Sequence, residues 1–313
     1  MIGSDDSTPD QGPREMALSL EVLDEQDRPQ ARLYFERVGP ADAATVYYLH
    51  GGPGYNTSSF RELMGDELTA YDMIYADARG GGRSPGVMGS DVDVLAGDVE
   101  AVLGALEVDS VVLLAHGFGA LVAAQVAAND PVMVRRLVLV NPWLSMPRLA
   151  QDLNTAARRL SGDEGADAEA AGDEAGDGPS SDPTALVDEA FALANPKVLF
   201  DSLQFRTPAA RLRLEHVDAV ALAGEVPDEV DRLVWELDRL DALAAAAAAG
   251  VEVVVISGAH DGTSYPAQAE LALKRSPNAL FSLLEGGHYP WIDDEEAFAL
   301  VLSEALGPAS STG

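Results

Sequence analysis

The stretch Val111-Val112-Leu113-Leu114-Ala115-His116-Gly117-Phe118-Gly119-Ala120 decides the fold. An apolar run reads as a buried strand. A tight turn follows, and small residues then open a helix. Where a strand delivers a sharp turn in the pattern small-x-apex-x-Gly, the apex residue normally carries a serine hydroxyl. Here the apex is Gly117, which has none.

Around this unit, strands and helices alternate. Ala17 to Leu23 and Arg32 to Val38 flank the turn-rich Asp24 to Gln30 and read as a hairpin. Ala44 to Leu49 and Tyr71 to Ala76 read as buried strands. Asp91 to Leu106 places Val92, Val94, Leu95, Val99, Val102, Leu103 and Leu106 at helical spacing, as an expected apolar face. A helix from Gly119 to Ala128 and a strand from Arg136 to Val140 come next. The alternation then stops until Val251 to Ile256. It resumes with a helix near Ala267 to Lys274, a strand from Ala279 to Leu284 and a last helix from Glu295 to Leu306. The pattern predicts an α/β fold with a mostly parallel sheet of about eight strands, covered on both faces. It divides the chain into a flexible tail (1–14), a core (15–141 and 250–307) and an inserted helical cap (142–249). Within the cap, 161–183 carries eight acidic residues and no basic one. So polar a stretch buries too little apolar surface to offset the entropy of ordering, and it reads as a mobile, solvated loop.

Composition narrows the functions. The 313 residues hold 52 acidic and 20 basic side chains, a formal charge of −32, and lysine occurs only at Lys197 and Lys274. This field repels nucleic acid and anionic membranes and suits a cationic ligand such as a peptide N-terminus. There is no cysteine, which removes thiolate nucleophiles and disulfides. The start, Met1 to Gln11, lacks the features of a signal peptide, and no apolar run reaches membrane-spanning length; a cytoplasmic location is expected. Neither a phosphate loop, a dinucleotide fingerprint nor close metal-ligand spacing is present, so no cofactor or metal is expected.

Three motifs follow strands in a specific order: His50-Gly51-Gly52-Pro53-Gly54, then Asp77-Ala78-Arg79-Gly80-Gly81-Gly82-Arg83-Ser84, then Gly287-His288 beside Tyr289-Pro290-Trp291. With the turn at Gly117, this set resembles the proline iminopeptidase branch of the α/β-hydrolase fold over about Ala44 to Leu306. The resemblance implies hydrolysis of an N-terminal, proline-like peptide bond, or a related amide or ester, with a small molecule or short peptide as partner. It implies a nucleophile at the position of Gly117, His288 as general base and Asp261 as the group that orients it. Gly51, Gly52 and Phe118 would supply backbone N–H donors to a developing oxyanion. Asp77, Arg79 and Arg83 would brace the loop beneath the site. In this family, cap glutamates bind the substrate's free amine. Glu215, Glu225 and Glu236 are the candidates here, and Trp291 is a further substrate-binding candidate. His260, next to Asp261, reads as a loop residue. Ser58, Ser59, Ser84 and Ser264 lie on loops that could approach the pocket, but none sits on a turn that aims its hydroxyl at His288.

Glycine at the apex leaves three readings open: a serine deliberately replaced, a natural pseudoenzyme that binds a ligand or protein through the capped pocket, or altered chemistry in which a water beside His288 is activated directly.

Overall fold

The computed structural model describes residues 14–23, 28–86, 90–162, 182–220 and 231–310. The tail through residue 13, nearly all of the acidic stretch and Glu225 lie outside them. Eight strands form one sheet: β1 (Arg14–Leu23), β2 (Pro29–Gly39), β3 (Thr45–Leu49), β4 (Asp72–Ala76), β5 (Val111–His116), β6 (Val134–Val140), β7 (Glu252–Gly258) and β8 (Leu280–Leu284). Their order is β1-β2-β4-β3-β5-β6-β7-β8. β1 and β2 form an antiparallel hairpin, β2 is antiparallel to β4, and all other neighbours are parallel. This is the mostly parallel, eight-stranded sheet that the sequence pattern predicts.

The hairpin is longer than the sequence alone suggests. Arg14 already pairs with Gly39, so the strand begins inside the expected tail. Local alternation marks only the part of a strand that faces a core, whereas cross-strand pairing extends β1 past it.

The central strands β3, β4 and β5 are buried along almost their whole length, as expected of strands covered on both faces. On one face lie α2 (Val92–Ala105) and α3 (Gly119–Asn129), with Leu103, Leu113, Leu121 and Leu137 in one apolar cluster. On the other face, α1 (Ser58–Met64) and the helix Glu295–Leu306 bury Phe60, Trp291 and Phe298 against Tyr48 and Tyr75. Asp91 caps α2 by accepting from the backbone N–H groups of Asp93 and Val94. Val94, expected on the apolar face of this helix, is exposed instead.

Between β6 and β7 the described residues contain helices and no strand. α4 (Met146–Leu160) is followed by Pro183–Leu193, Pro196–Gln204, Pro208–Val220 and Leu240–Ala248. Proline opens three of these, and Asp182 and Asn195 cap two. No helix among the described residues is long and apolar enough to cross a membrane.

The register matters for the site. Leu49 pairs with Ala115, His116 with Val140, and Val140 with Ile256. Parallel pairing therefore brings the carboxyl ends of β3, β5, β6 and β7 into one row. The loops that leave this row begin at His50, Gly117, Asn141 and Ala259.

Candidate active site

Gly117 turns the chain from β5 into α3 with a φ of +50°, which glycine adopts without the steric penalty other residues meet. Its N–H donates to the Val140 carbonyl, and its own carbonyl accepts from Trp143 N–H, both at 3.0–3.1 Å. The apex is thereby fixed to the strand beside it. An ideal Cβ built on Gly117 would stand 3.1 Å from His288 Nε2, 3.4 Å from His288 Cε1 and 3.6 Å from Gly51 Cα. Any side chain here would point at the imidazole.

His288 and Asp261 are almost wholly buried, at 1% and 0% exposure. His288 Nδ1 lies 2.8 Å from Asp261 Oδ2. The carboxylate is acceptor-only, so this bond fixes the proton on Nδ1 and leaves the Nε2 lone pair facing Gly117. The other Asp261 oxygen accepts from the Thr263 N–H at 2.9 Å and its hydroxyl at 2.6 Å. Trp143 Nε1 donates to the same hydroxyl, and the Trp143 ring stacks on His288 at 5.1 Å. The Thr263 hydroxyl lies 3.3 Å from Nδ1, on the Asp261 side of the imidazole.

His116, the residue before the apex, forms a second layer. Its Nε2 bonds to the His288 carbonyl at 2.9 Å, and its ring sits 4.4 Å from that of His288. Nδ1 of His116 is buried without a hydrogen-bond partner. A Cβ on Gly51 would stand 2.6 Å from that nitrogen, so only glycine permits the loop to approach so closely. Burial, and then the neighbouring His288, lower the His116 pKa well below the ordinary value. Asn141, at φ +44°, donates through Nδ2 to the carbonyls of Gly287 and His288, and its Oδ1 accepts from Gly258 N–H. It ties the end of β6 to the loop that carries the imidazole.

The Asp77 to Ser84 loop is braced internally. Asp77 accepts from Thr57 through its N–H and hydroxyl and from Arg83 Nε at 2.7 Å. Burial opposes its ionisation, but the Arg83 hydrogen bonds and nearby His50 bring its pKa below the usual carboxylate value. Arg79 forms a bidentate pair with Asp98 at 2.5 Å, and Arg83 also meets Glu36. His50 joins this loop to the glycine-rich one: Nδ1 donates to the Gly51 carbonyl, and Nε2 accepts from Ala78 N–H.

Among the described residues, the substrate-binding candidates are Glu215, Glu236 and Trp291. Glu215 is exposed and paired with Arg211, and Glu236 is exposed. Trp291 is 1% exposed, edge-on to Phe60 and His116 in the core, so it supports the site from beneath. A helix gives no local cue to which acids face inward when both of its sides carry charge. A cap carboxylate that does turn inward is Asp218, on the helix Pro208–Val220. Tyr55, which follows the glycine-rich loop, donates to it at 2.5 Å. Burial raises the Asp218 pKa; burial, and then the charges of Asp218 and Asp261, raise that of Tyr289, whose ring stands 5.0 Å from His288.

His260 is half-exposed and pairs with Glu285. The hydroxyls of Ser59, Ser84 and Ser264 bond to Tyr55, to the Asp77 carbonyl and to the Pro142 carbonyl. Among the described residues no three His, Asp or Glu side chains form a metal-binding group.

Comparison with known proteins agrees with this architecture. Residues 44–170 match the α/β-hydrolase fold family. A proline iminopeptidase-related protein from Thermus thermophilus superposes with a TM-score of 0.75 at 34% identity, covering 94% of this chain and 97% of that one. The chain belongs to the α/β-hydrolase family. Two relatives are named carbamate hydrolase RutD. The one from Klebsiella pneumoniae is 26% identical over 82% of this chain and 88% of its own length. The one from Variovorax paradoxus is 37% identical, but the match spans 36% of this chain and 42% of that protein.

Proposed function

We propose that this chain carries the acyl-transfer site of an α/β-hydrolase, acting on an ester, amide or carbamate carbonyl of a small molecule or short peptide, with its nucleophile position occupied by Gly117. One observation carries the reading. The Asp261–His288 hydrogen bond aims the free Nε2 at the point where a side chain at 117 would begin. A buried carboxylate that fixes one tautomer serves a base, and general-base catalysis contributes roughly 10²–10⁴-fold. In this reading the N–H of Phe118, with those of Gly51 and Gly52, receives the oxyanion. The chain's likeness to a proline iminopeptidase-related protein and to proteins named carbamate hydrolase supports the bond class, since both names denote action at a carbonyl joined to nitrogen.

For a substrate with a free amine, Asp218 rather than an exposed glutamate is the counter-charge, because it is partly withdrawn from water beside Tyr55 and Tyr289. In a Gly117→Ser background, Asp218→Asn should raise KM for a free-amine anilide at least tenfold and leave an N-acetylated ester unaffected. Equal effects on both would remove Asp218 from recognition.

The test is kcat/KM for the chain and for Gly117→Ser, side by side, on a proline anilide and a short aryl ester. A rise of orders of magnitude with serine supports the acyl-transfer site. The rival is a binding protein that uses the same pocket, favoured by the missing hydroxyl at Gly117. Thermal stabilisation by peptides or esters, with no turnover by either protein, would establish the rival instead.

A further inference from the structure

Without a hydroxyl at 117 the unmodified chain has no covalent route, and the geometry at Gly117 supplies another. We propose that the chain as it stands hydrolyses activated esters in one step, with water held between Gly117 and His288 as the nucleophile. The inference rests on the acyl-transfer reading of the site.

The position is defined by three contacts. The direction a side chain would take from Gly117 passes 3.1 Å from His288 Nε2, within hydrogen-bonding reach. The opposite wall is Gly51 Cα at 3.6 Å, which presents no side chain. Gly51 has none because the His116 ring already fills that space. Gly117 therefore leaves the place of a side chain at the apex unfilled by its own residue, and a base with a fixed tautomer borders it. A Cβ at 3.1 Å from Nε2 would be tighter than ordinary van der Waals contact, so His288 lies closer to the Gly117 backbone than a side chain there comfortably allows.

The water oxygen forms a bond to the substrate carbonyl carbon while its proton passes to His288 Nε2. The carbonyl π electrons move to oxygen, which the backbone N–H groups receive. Collapse of this intermediate breaks the bond to the leaving group, and the imidazolium returns its proton to the departing oxygen. Acid and alcohol leave, and no bond to the protein forms. Methanol is a free-molecule counterpart of the serine side chain. In the same place it would transfer its proton to Nε2 and give the methyl ester.

The experiment compares the full chain with Gly117→Ala, Gly117→Ser and His288→Gln on 4-nitrophenyl acetate, with and without methanol. The expected order is non-monotonic in side-chain size. The unmodified chain releases nitrophenol slowly, without a burst. Gly117→Ala falls at least about tenfold because its methyl fills the space, and Gly117→Ser rises by orders of magnitude with a burst. His288→Gln in the unmodified chain loses about 10²-fold or more. Methanol raises nitrophenol release by the unmodified chain in proportion to its concentration and yields methyl acetate. If Gly117→Ser is active but the unmodified chain matches Gly117→Ala and ignores methanol, the one-step route is wrong and the acyl-transfer reading stands. If Gly117→Ser is also inactive, both fall. Should Gly117→Ala fail to fold, the methanol response of the unmodified chain decides alone.

Discussion

Asp261 and His288 act as a unit, and the surrounding side chains determine how firmly. Thr263 donates twice to Asp261, Trp143 holds the Thr263 hydroxyl, and Asn141 and His116 both bind the His288 carbonyl. Asp261→Asn would reverse the tautomer preference, because an amide nitrogen can donate to Nδ1. In Gly117→Ser this should lower kcat by about 10⁴-fold with little change in KM; a loss under tenfold would show that the carboxylate does not set the tautomer. His116 gives a pH prediction. Its pKa and that of His50 are depressed by burial, so the folded chain favours neutral rings that the unfolded chain would protonate below about 6.5. Their contribution to stability is complete above that pH and is lost as pH falls through the depressed values. Melting temperature should therefore fall between pH 7 and 5, and His116→Gln should flatten the fall; an equal slope in the variant would assign the acid sensitivity elsewhere. The placement of Gly117, Asp261 and His288 beyond strand ends is legible from sequence because each follows a strand within a recognisable motif. His116, Asn141, Thr263 and Asp218 are not legible in this way. Their roles come from contacts between loops far apart in the chain, and no local spacing encodes these.

At the scale of elements, the site is a product of register. Four parallel strands end in one row, and each adds one loop. The Asp77 loop is anchored by buried charge. Arg79 and Asp98 link the Asp77 loop to α2 with both side chains at or below 10% exposure. Removing one member of such a pair strands the other in a poorly solvated place. Asp98→Ala should therefore destabilise the fold by about 3–5 kcal/mol in urea unfolding, and a change below about 1 kcal/mol would place the pair effectively in solvent. Alternation and helical periodicity made this layer readable: the strand and helix sequence around Gly117 follows the expected order. The extra length of β1 and β2 escaped notice because Pro29 and Gln30 read locally as turn, whereas pairing with β1 makes them strand.

At the scale of the whole molecule, a formal charge of −32 surrounds the buried site. Acids outnumber bases more than twofold, and their mutual repulsion favours an expanded chain. Salt screens that repulsion over a Debye length of about 8–10 Å at moderate ionic strength. Melting temperature should rise with potassium chloride up to molar concentrations, and a flat or falling profile would mean that the internal ion pairs outweigh the repulsion. The central proposal concerns one position in this acidic fold: that Asp261 and His288 would activate a hydroxyl placed at 117. The most direct measurement is labelling by a fluorophosphonate, read by intact mass and peptide mapping, of the unmodified chain and of Gly117→Ser. The account predicts no adduct on the unmodified chain and one adduct on the variant, at position 117. An adduct on any serine of the unmodified chain, or none on the variant while it remains folded, would contradict it.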